Sequence, residues 1–140
     1  MEIFTLNQPP RKLELEMFAD LLPAGFASLM DGYKDKKLDI NEYLVEYPSA
    51  TFLIRVEGLS MKDAGILPGD VLVVDRSKNI VSGDVVVALL DGQFMVKRFV
   101  KKTGKIILQA ENKDFEDVQV SSEAELTVWG KVVGSFRKFI

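Results

Sequence analysis

Val85-Val86-Val87-Ala88-Leu89-Leu90-Asp91-Gly92-Gln93-Phe94-Met95-Val96-Lys97-Arg98-Phe99-Val100 decides the fold class. Two runs rich in β-branched and aromatic residues flank an Asp-Gly pair, and that pair favours the left-handed backbone of a two-residue hairpin turn. The stretch therefore reads as two antiparallel strands. Outward in both directions the same grammar repeats. Lys102-Thr103-Gly104-Lys105 turns the chain into Ile106–Ala110, and Ser82-Gly83-Asp84 precedes the hairpin. Upstream, Thr51–Val56 and Val71–Asp75 read as strands, with Leu67-Pro68-Gly69-Asp70 as a turn between them. Downstream, a polar loop around Asn112 to Glu116 leads to short strands over Val118–Val120 and Leu126–Arg137. The expected fold is mostly β, a compact antiparallel domain with one short helix and an extended N-terminal arm.

The helix is signalled by Asp39 as N-cap with Glu42 three residues on, a pair resembling a capping box. Ile40, Tyr43, Leu44 and Tyr47 then follow at helical spacing, and Pro48 is expected to stop the helix. Residues 1 to 38 are expected to form a flexible arm and linker, and residues 39 to 140 the β domain. Pro9-Pro10 forbids helix. Leu13-Glu14-Leu15-Glu16-Met17-Phe18 alternates apolar and acidic residues, as a strand or a short helical turn would. The charged run Lys34-Asp35-Lys36-Lys37 reads as an exposed linker.

The residue types that are missing narrow the chemistry. The 140 residues include no histidine and no cysteine. A Ser-His-Asp triad, thiolate catalysis, disulfides and His- or Cys-based metal sites are excluded. Any nucleophilic catalysis must use Ser, Thr or a carboxylate, with Lys, Asp, Glu or Tyr as base. The net charge of −3 argues against a protein that binds nucleic acid through bulk positive charge. No apolar run reaches the roughly 18 residues of a membrane span, and the first residues lack a secretory signal, so a cytoplasmic protein without membrane attachment is expected. Neither a cofactor nor a metal is implied.

Two residues stand out within this frame. Ser60, in Glu57-Gly58-Leu59-Ser60-Met61, follows a strand in a turn that could present a hydroxyl and aim backbone amides at a carbonyl. Serines near turns also commonly bond their own backbone. Lys97 shares a strand face with Met95 and Phe99, because side chains alternate across a strand. Apolar neighbours lower a lysine pKa by desolvation. Acting as a base near neutral pH requires a fall of roughly three pH units, about 4 kcal/mol. The same lysine could instead snorkel to the sheet edge and keep its charge in water.

Taken together, Pro48-Ser49-Ala50-Thr51-Phe52, Gly58-Leu59-Ser60-Met61, Gly65-Ile66-Leu67-Pro68-Gly69-Asp70 and Val96-Lys97-Arg98 resemble the self-cleaving peptidase domain of the LexA family. The short arm with Ala24-Gly25-Phe26, and no helix-turn-helix before residue 39, resemble its UmuD branch. The resemblance covers essentially the whole chain. It implies that Ser60 attacks the Ala24-Gly25 peptide bond with neutral Lys97 as base, and that the backbone amides of Leu59 and Ser60 form the oxyanion hole. It further implies a homodimer, stimulation by the RecA–single-stranded-DNA filament, and a UmuC-type polymerase subunit as partner in error-prone SOS synthesis. No direct sequence-specific DNA binding is implied. The family commonly places a threonine two residues before the lysine; here that residue is Met95, a weak acceptor. Support for a neutral Lys97 must then come from desolvation or another group. Two alternatives are a non-catalytic interaction module of the same fold and the peptidase half of a phage-type repressor.

Overall fold

The computed structural model describes residues 2–5, 14–18 and 34–140. In chain order its strands are β1 (Glu2–Thr5), β2 (Glu14–Phe18), β3 (Lys34–Asp39), β4 (Thr51–Arg55), β5 (Val71–Asp75), β6 (Val85–Leu90), β7 (Gln93–Lys102), β8 (Lys105–Gln109), β9 (Val118–Val120) and β10 (Leu126–Phe136). One α-helix, α1 (Ile40–Leu44), follows β3. Contacts divide the chain into two units, Met1–Leu6 with Tyr47–Ile140, and Asn7–Glu46. Among the described residues no helix is long and apolar enough to cross a membrane.

The larger unit is an eight-stranded sheet in the order β1-β4-β5-β10-β6-β7-β8-β9, and every pairing is antiparallel. The mostly β, antiparallel fold expected from the strand grammar is what the chain adopts. The Asp91-Gly92 turn has positive φ at both residues, 48° and 83°, as a two-residue hairpin between right-twisted strands requires.

Strand β10 changes partners along its length. Leu126 to Lys131 pair with β6, and Lys131 to Phe136 pair with β5. Register shifts fall between Val128 and Gly130 and again between Val132 and Gly134. Such bulges bend the strand and let it serve two neighbours. Gly130 lies so close to β5 that an added Cβ would come within 2.6 Å of Val74 Cγ1.

Two apolar clusters hold the unit together. One comprises Ile54, Val56, Met61, Ile66, Leu72, Val74 and Val87. The other centres on Val86, Ala88 and Leu108, with Met95, Phe99 and others packed on it. The alternation along β6 and β7 is visible here: Val87 and Val96 serve the first cluster, while Val86, Ala88, Met95 and Phe99 serve the second.

In the smaller unit β2 and β3 pair antiparallel, with Glu14 opposite Asp39 and Leu15 opposite Leu38. The charged run read as a linker is thus a strand. A ladder is made by backbone groups, which a charge pattern does not report. Asp39 caps α1 as expected, its carboxylate accepting from the Asn41 and Glu42 amides at 2.9 and 3.3 Å. The helix nevertheless ends at Leu44, one turn short of Tyr47, with Val45 already extended. Pro48 constrains the residue before it as well. A residue before proline is disfavoured in helical backbone, and Tyr47 sits at φ −125°, ψ 90°. Pro48 then opens a 3-10 turn over Pro48–Ala50. Ile40 and Tyr43, expected on an apolar face, are exposed.

Candidate active site

Between β4 and β5 the chain makes a loop that carries Ser60. Gly58 takes φ +81°, a left-handed conformation that costs other residues, and so reverses the chain directly after β4. Met61, only 2% exposed, drives its side chain into the first apolar cluster and roots the loop beneath Ser60. Full burial of such a side chain is worth about 1.5–3 kcal/mol. A 3-10 turn over Lys62–Ala64 and the buried Ile66 complete the return.

The same loop is tied from outside by the segment just after β8. The Glu111 amide donates to the Ser60 carbonyl at 2.8 Å, and the Asp63 amide donates to the Glu111 carbonyl at 2.8 Å. Asn112, itself buried, donates from Nδ2 to the Leu59 carbonyl at 2.9 Å. The Leu59 carbonyl also accepts from the Lys62 amide at 3.2 Å. Among the described residues neither the Leu59 nor the Ser60 amide donates a hydrogen bond to another protein group. Carbonyls are satisfied here, and two adjacent donors are left for something else.

Lys97 lies on β7 opposite Val86. Strand phase puts it with Met95 and Phe99, both packed on the second cluster. Burial lowers its pKa from the ordinary lysine value, opposed by the negative charge of Asp117, which raises it. Among the described residues its amine makes no ion pair or hydrogen bond. Arg98, its neighbour, is ion-paired with Glu111 and donates from Nη1 to the Gly83 carbonyl at 2.6 Å.

Ser60 and Lys97 meet in one cleft of about 210 Å³, lined by Val56, Glu57, Gly58, Ser60, Met61 and Phe94–Lys97. Phe94 stands edge-on to Trp129, with ring centroids 6.1 Å apart. The structure brings the serine and lysine to the lining of one cleft, which Met95 also lines; no hydrogen bond joins the two side chains. Ala24 and Gly25, the expected cleavage site, lie outside the described residues. Among the described residues no cluster of three or more metal-ligating side chains occurs. Glu111 and Asn112 were not singled out from the sequence, where Asn112 reads only as part of a polar loop. The one local signal is an asparagine two residues before Asp114, suited to an Asx turn.

Away from the cleft, Asp70 is buried and held by Arg137, Nε to Oδ1 at 2.6 Å and Nη2 to Oδ2 at 2.7 Å, and by the Leu67 amide at 2.8 Å. The Arg137 side-chain hydrogen bond leads in lowering the Asp70 pKa below 3.8, against the upward pull of burial. This clamp fixes the Leu67–Asp70 turn to the end of β10.

The family described as Peptidase S24-like matches residues 16–133. Protein MucA of Escherichia coli is 38% identical over 136 residues, covering 96% of this chain and 92% of that protein. Protein ImpA of Salmonella typhimurium is 46% identical over 84 residues, 60% of this chain and 58% of its own. The LexA repressor of Photorhabdus laumondii is 44% identical over 91 residues, 64% of this chain and 45% of its own.

Proposed function

Since this chain belongs to the Peptidase S24-like family, on the UmuD branch of its LexA and UmuD members, we propose that it is a self-cleaving Ser-Lys endopeptidase acting in the SOS response. The observation that carries this reading is the shared cleft of Ser60 and Lys97, with the lysine desolvated by its surroundings. Residues 1 to 38 serve as the cleavable arm and linker, and residues 39 to 140 as the peptidase domain.

In this mechanism the Ser60 hydroxyl attacks the Ala24 carbonyl carbon while the neutral Lys97 amine takes its proton. The oxyanion that forms is met by the Leu59 and Ser60 amides, two donors that find no partner among the described residues. The Lys97 ammonium then protonates the Gly25 amine as the peptide bond breaks, and water releases Ala24 from Ser60. Small residues on both sides of the bond suit the close approach of backbone to nucleophile. Met95 supplies no strong hydrogen bond to the lysine, so desolvation is the means of keeping it neutral. The trimmed product acts as a homodimer with a UmuC-type polymerase subunit, and the RecA–single-stranded-DNA filament stimulates the cut.

Purified protein held at mildly alkaline pH, with and without RecA filament, is expected to yield a fragment ending at Ala24 and a product beginning at Gly25, read by mass spectrometry. No such pair of fragments under either condition overturns the enzymatic reading. It would leave the non-catalytic interaction module, which the missing Ser60–Lys97 hydrogen bond favours. Active sites without substrate are often looser than their working geometry, and the shared cleft supports the enzymatic reading.

A further inference from the structure

Asn112 lies 53 residues from the loop it touches, and both ends of its carboxamide are committed. Its Oδ1 accepts from the Asp114 amide at 3.0 Å, while Nδ2 donates to the Leu59 carbonyl at 2.9 Å. The Phe115 amide donates back to the Asn112 carbonyl at 3.0 Å, closing the turn that holds the residue. With its side chain buried and one end fixed by its own turn, Asn112 has little freedom to aim the other end elsewhere.

The consequence follows from peptide geometry. In a planar trans peptide the carbonyl and the next amide point in opposite directions. The Leu59 carbonyl and the Ser60 amide belong to one such plane. Drawing the carbonyl toward Asn112 therefore sends the Ser60 N–H the opposite way, and that N–H has no partner among the described residues. A neighbouring contact braces the arrangement: the Glu111 amide holds the Ser60 carbonyl, and the Glu111 carboxylate is paired with Arg98, next to Lys97 on β7. One short segment thus holds the serine loop and is itself anchored beside the lysine.

We propose that Asn112 is a positioning residue for the reaction, setting the Leu59–Ser60 peptide plane so that the Ser60 amide is aimed in advance as an oxyanion donor. The inference rests on the proposed self-cleavage for its catalytic meaning, but the orientation it assigns is a property of the loop alone. It deepens the site by naming what keeps the donor in place. A preorganised donor is worth about 10²–10³ in rate when removed outright. Loosening it through its support is expected to cost about ten- to a hundredfold.

Asn112→Asp and Asn112→Ala in the full chain separate positioning from folding. Aspartate keeps the oxygen that the Asp114 amide needs, removes the donor to Leu59 and adds a negative charge, while alanine removes the donor and adds no charge. In Asn112→Asp the Ser60 amide signal in two-dimensional NMR is expected to move and its hydrogen exchange to change. The alkaline plateau of the cleavage rate should fall about ten- to a hundredfold in both variants, with the midpoint of the pH–rate curve unmoved in Asn112→Ala, which adds no charge. A Ser60 amide unaltered in Asn112→Asp overturns the inference, as does an unchanged plateau in both variants or a shifted midpoint in Asn112→Ala. If the unaltered protein makes no cut, the proposed function falls, and the Ser60 amide signal alone then decides whether Asn112 orients the loop.

Discussion

Ser60 stands on a loop whose neighbouring carbonyls are tied by Asn112, Glu111 and Lys62, while Lys97 stands in the middle of a ten-residue strand with partners on both sides. The two halves of the cleft solve different problems. A nucleophile must present both a hydroxyl and free amides, so its backbone has to leave the ladder, and each orphaned carbonyl then needs a specific partner. A base needs only a stem and a dry setting, which a strand inside a sheet supplies without special contacts. The serine half is therefore built from particular hydrogen bonds, and the lysine half from burial.

The largest expected effect tests whether both halves are needed at all. Ser60→Ala and Lys97→Ala should each lower self-cleavage about a thousandfold or more, to the background of the assay. Residual cutting at Ala24-Gly25 in either variant would point to another protease and dissolve the comparison.

Next come substitutions that loosen one half and spare the other. Met61→Ala removes the root of the serine loop, and Leu108→Ala empties the cluster beneath the lysine strand. Each should cost about 3 kcal/mol in denaturant unfolding. Their kinetics should part company: Met61→Ala lowers the plateau of the pH–rate curve, and Leu108→Ala lets water reach Lys97 and moves the midpoint to higher pH. Identical pH–rate curves would show that the halves are not independent.

Arg137→Met probes a region outside both. The Asp70 carboxylate has its pKa depressed in the fold, chiefly by Arg137. Its contribution is fully present above the unfolded value of 3.8 and is lost as pH falls through the folded pKa. Without Arg137 that loss should begin at higher pH, so the midpoint of acid unfolding rises. Arg137 is not among the residues that line the cleft, so cleavage at neutral pH should persist.

The smallest effect concerns Asp117. Its charge raises the Lys97 pKa against burial, and its Oδ1 accepts from the Ala110 amide at 3.0 Å. Asp117→Asn can keep that hydrogen bond while removing the charge. Neutral Lys97 should then prevail from a lower pH, and the pH–rate curve should shift toward acid. A shift toward alkali would mean that the Asp117 charge does not raise the lysine pKa.

Much of the sheet was legible before any coordinates. The β-branched runs, the Asp91-Gly92 hairpin and the Leu67–Asp70 turn are local signals, and β4 to β10 fall close to where they point. Strand phase likewise placed Lys97 beside Met95 and Phe99. Less legible were features that depend on partners far along the chain. The pairing of β1 with β4 and of β2 with β3 leaves little local trace, because backbone groups that every residue carries make the ladder. The helix α1 ends early, with Val45 already extended, before the residue that Pro48 constrains, Tyr47. Asn112 escaped for the same reason as the ladders. Its carbonyl partner, Leu59, is set by the fold and not by neighbours in sequence.

Strand β10 also imposes an order on events in time. Both halves of the cleft can begin local structure early, since β4 with β5 and β6 with β7 are each close in sequence. The strand that is hydrogen-bonded to both β5 and β6 comes after all the others, and its pairing of Lys131 with Asp75 closes a long loop. Contacts of that span form slowly, because the chain must surrender much freedom before they repay it. A growing chain would hold a serine loop and a lysine hairpin with no common frame until residues 126–136 are free to insert. On the proposed function, the serine loop and the lysine hairpin would gain their common frame only when the strand that pairs with both β5 and β6 is in place.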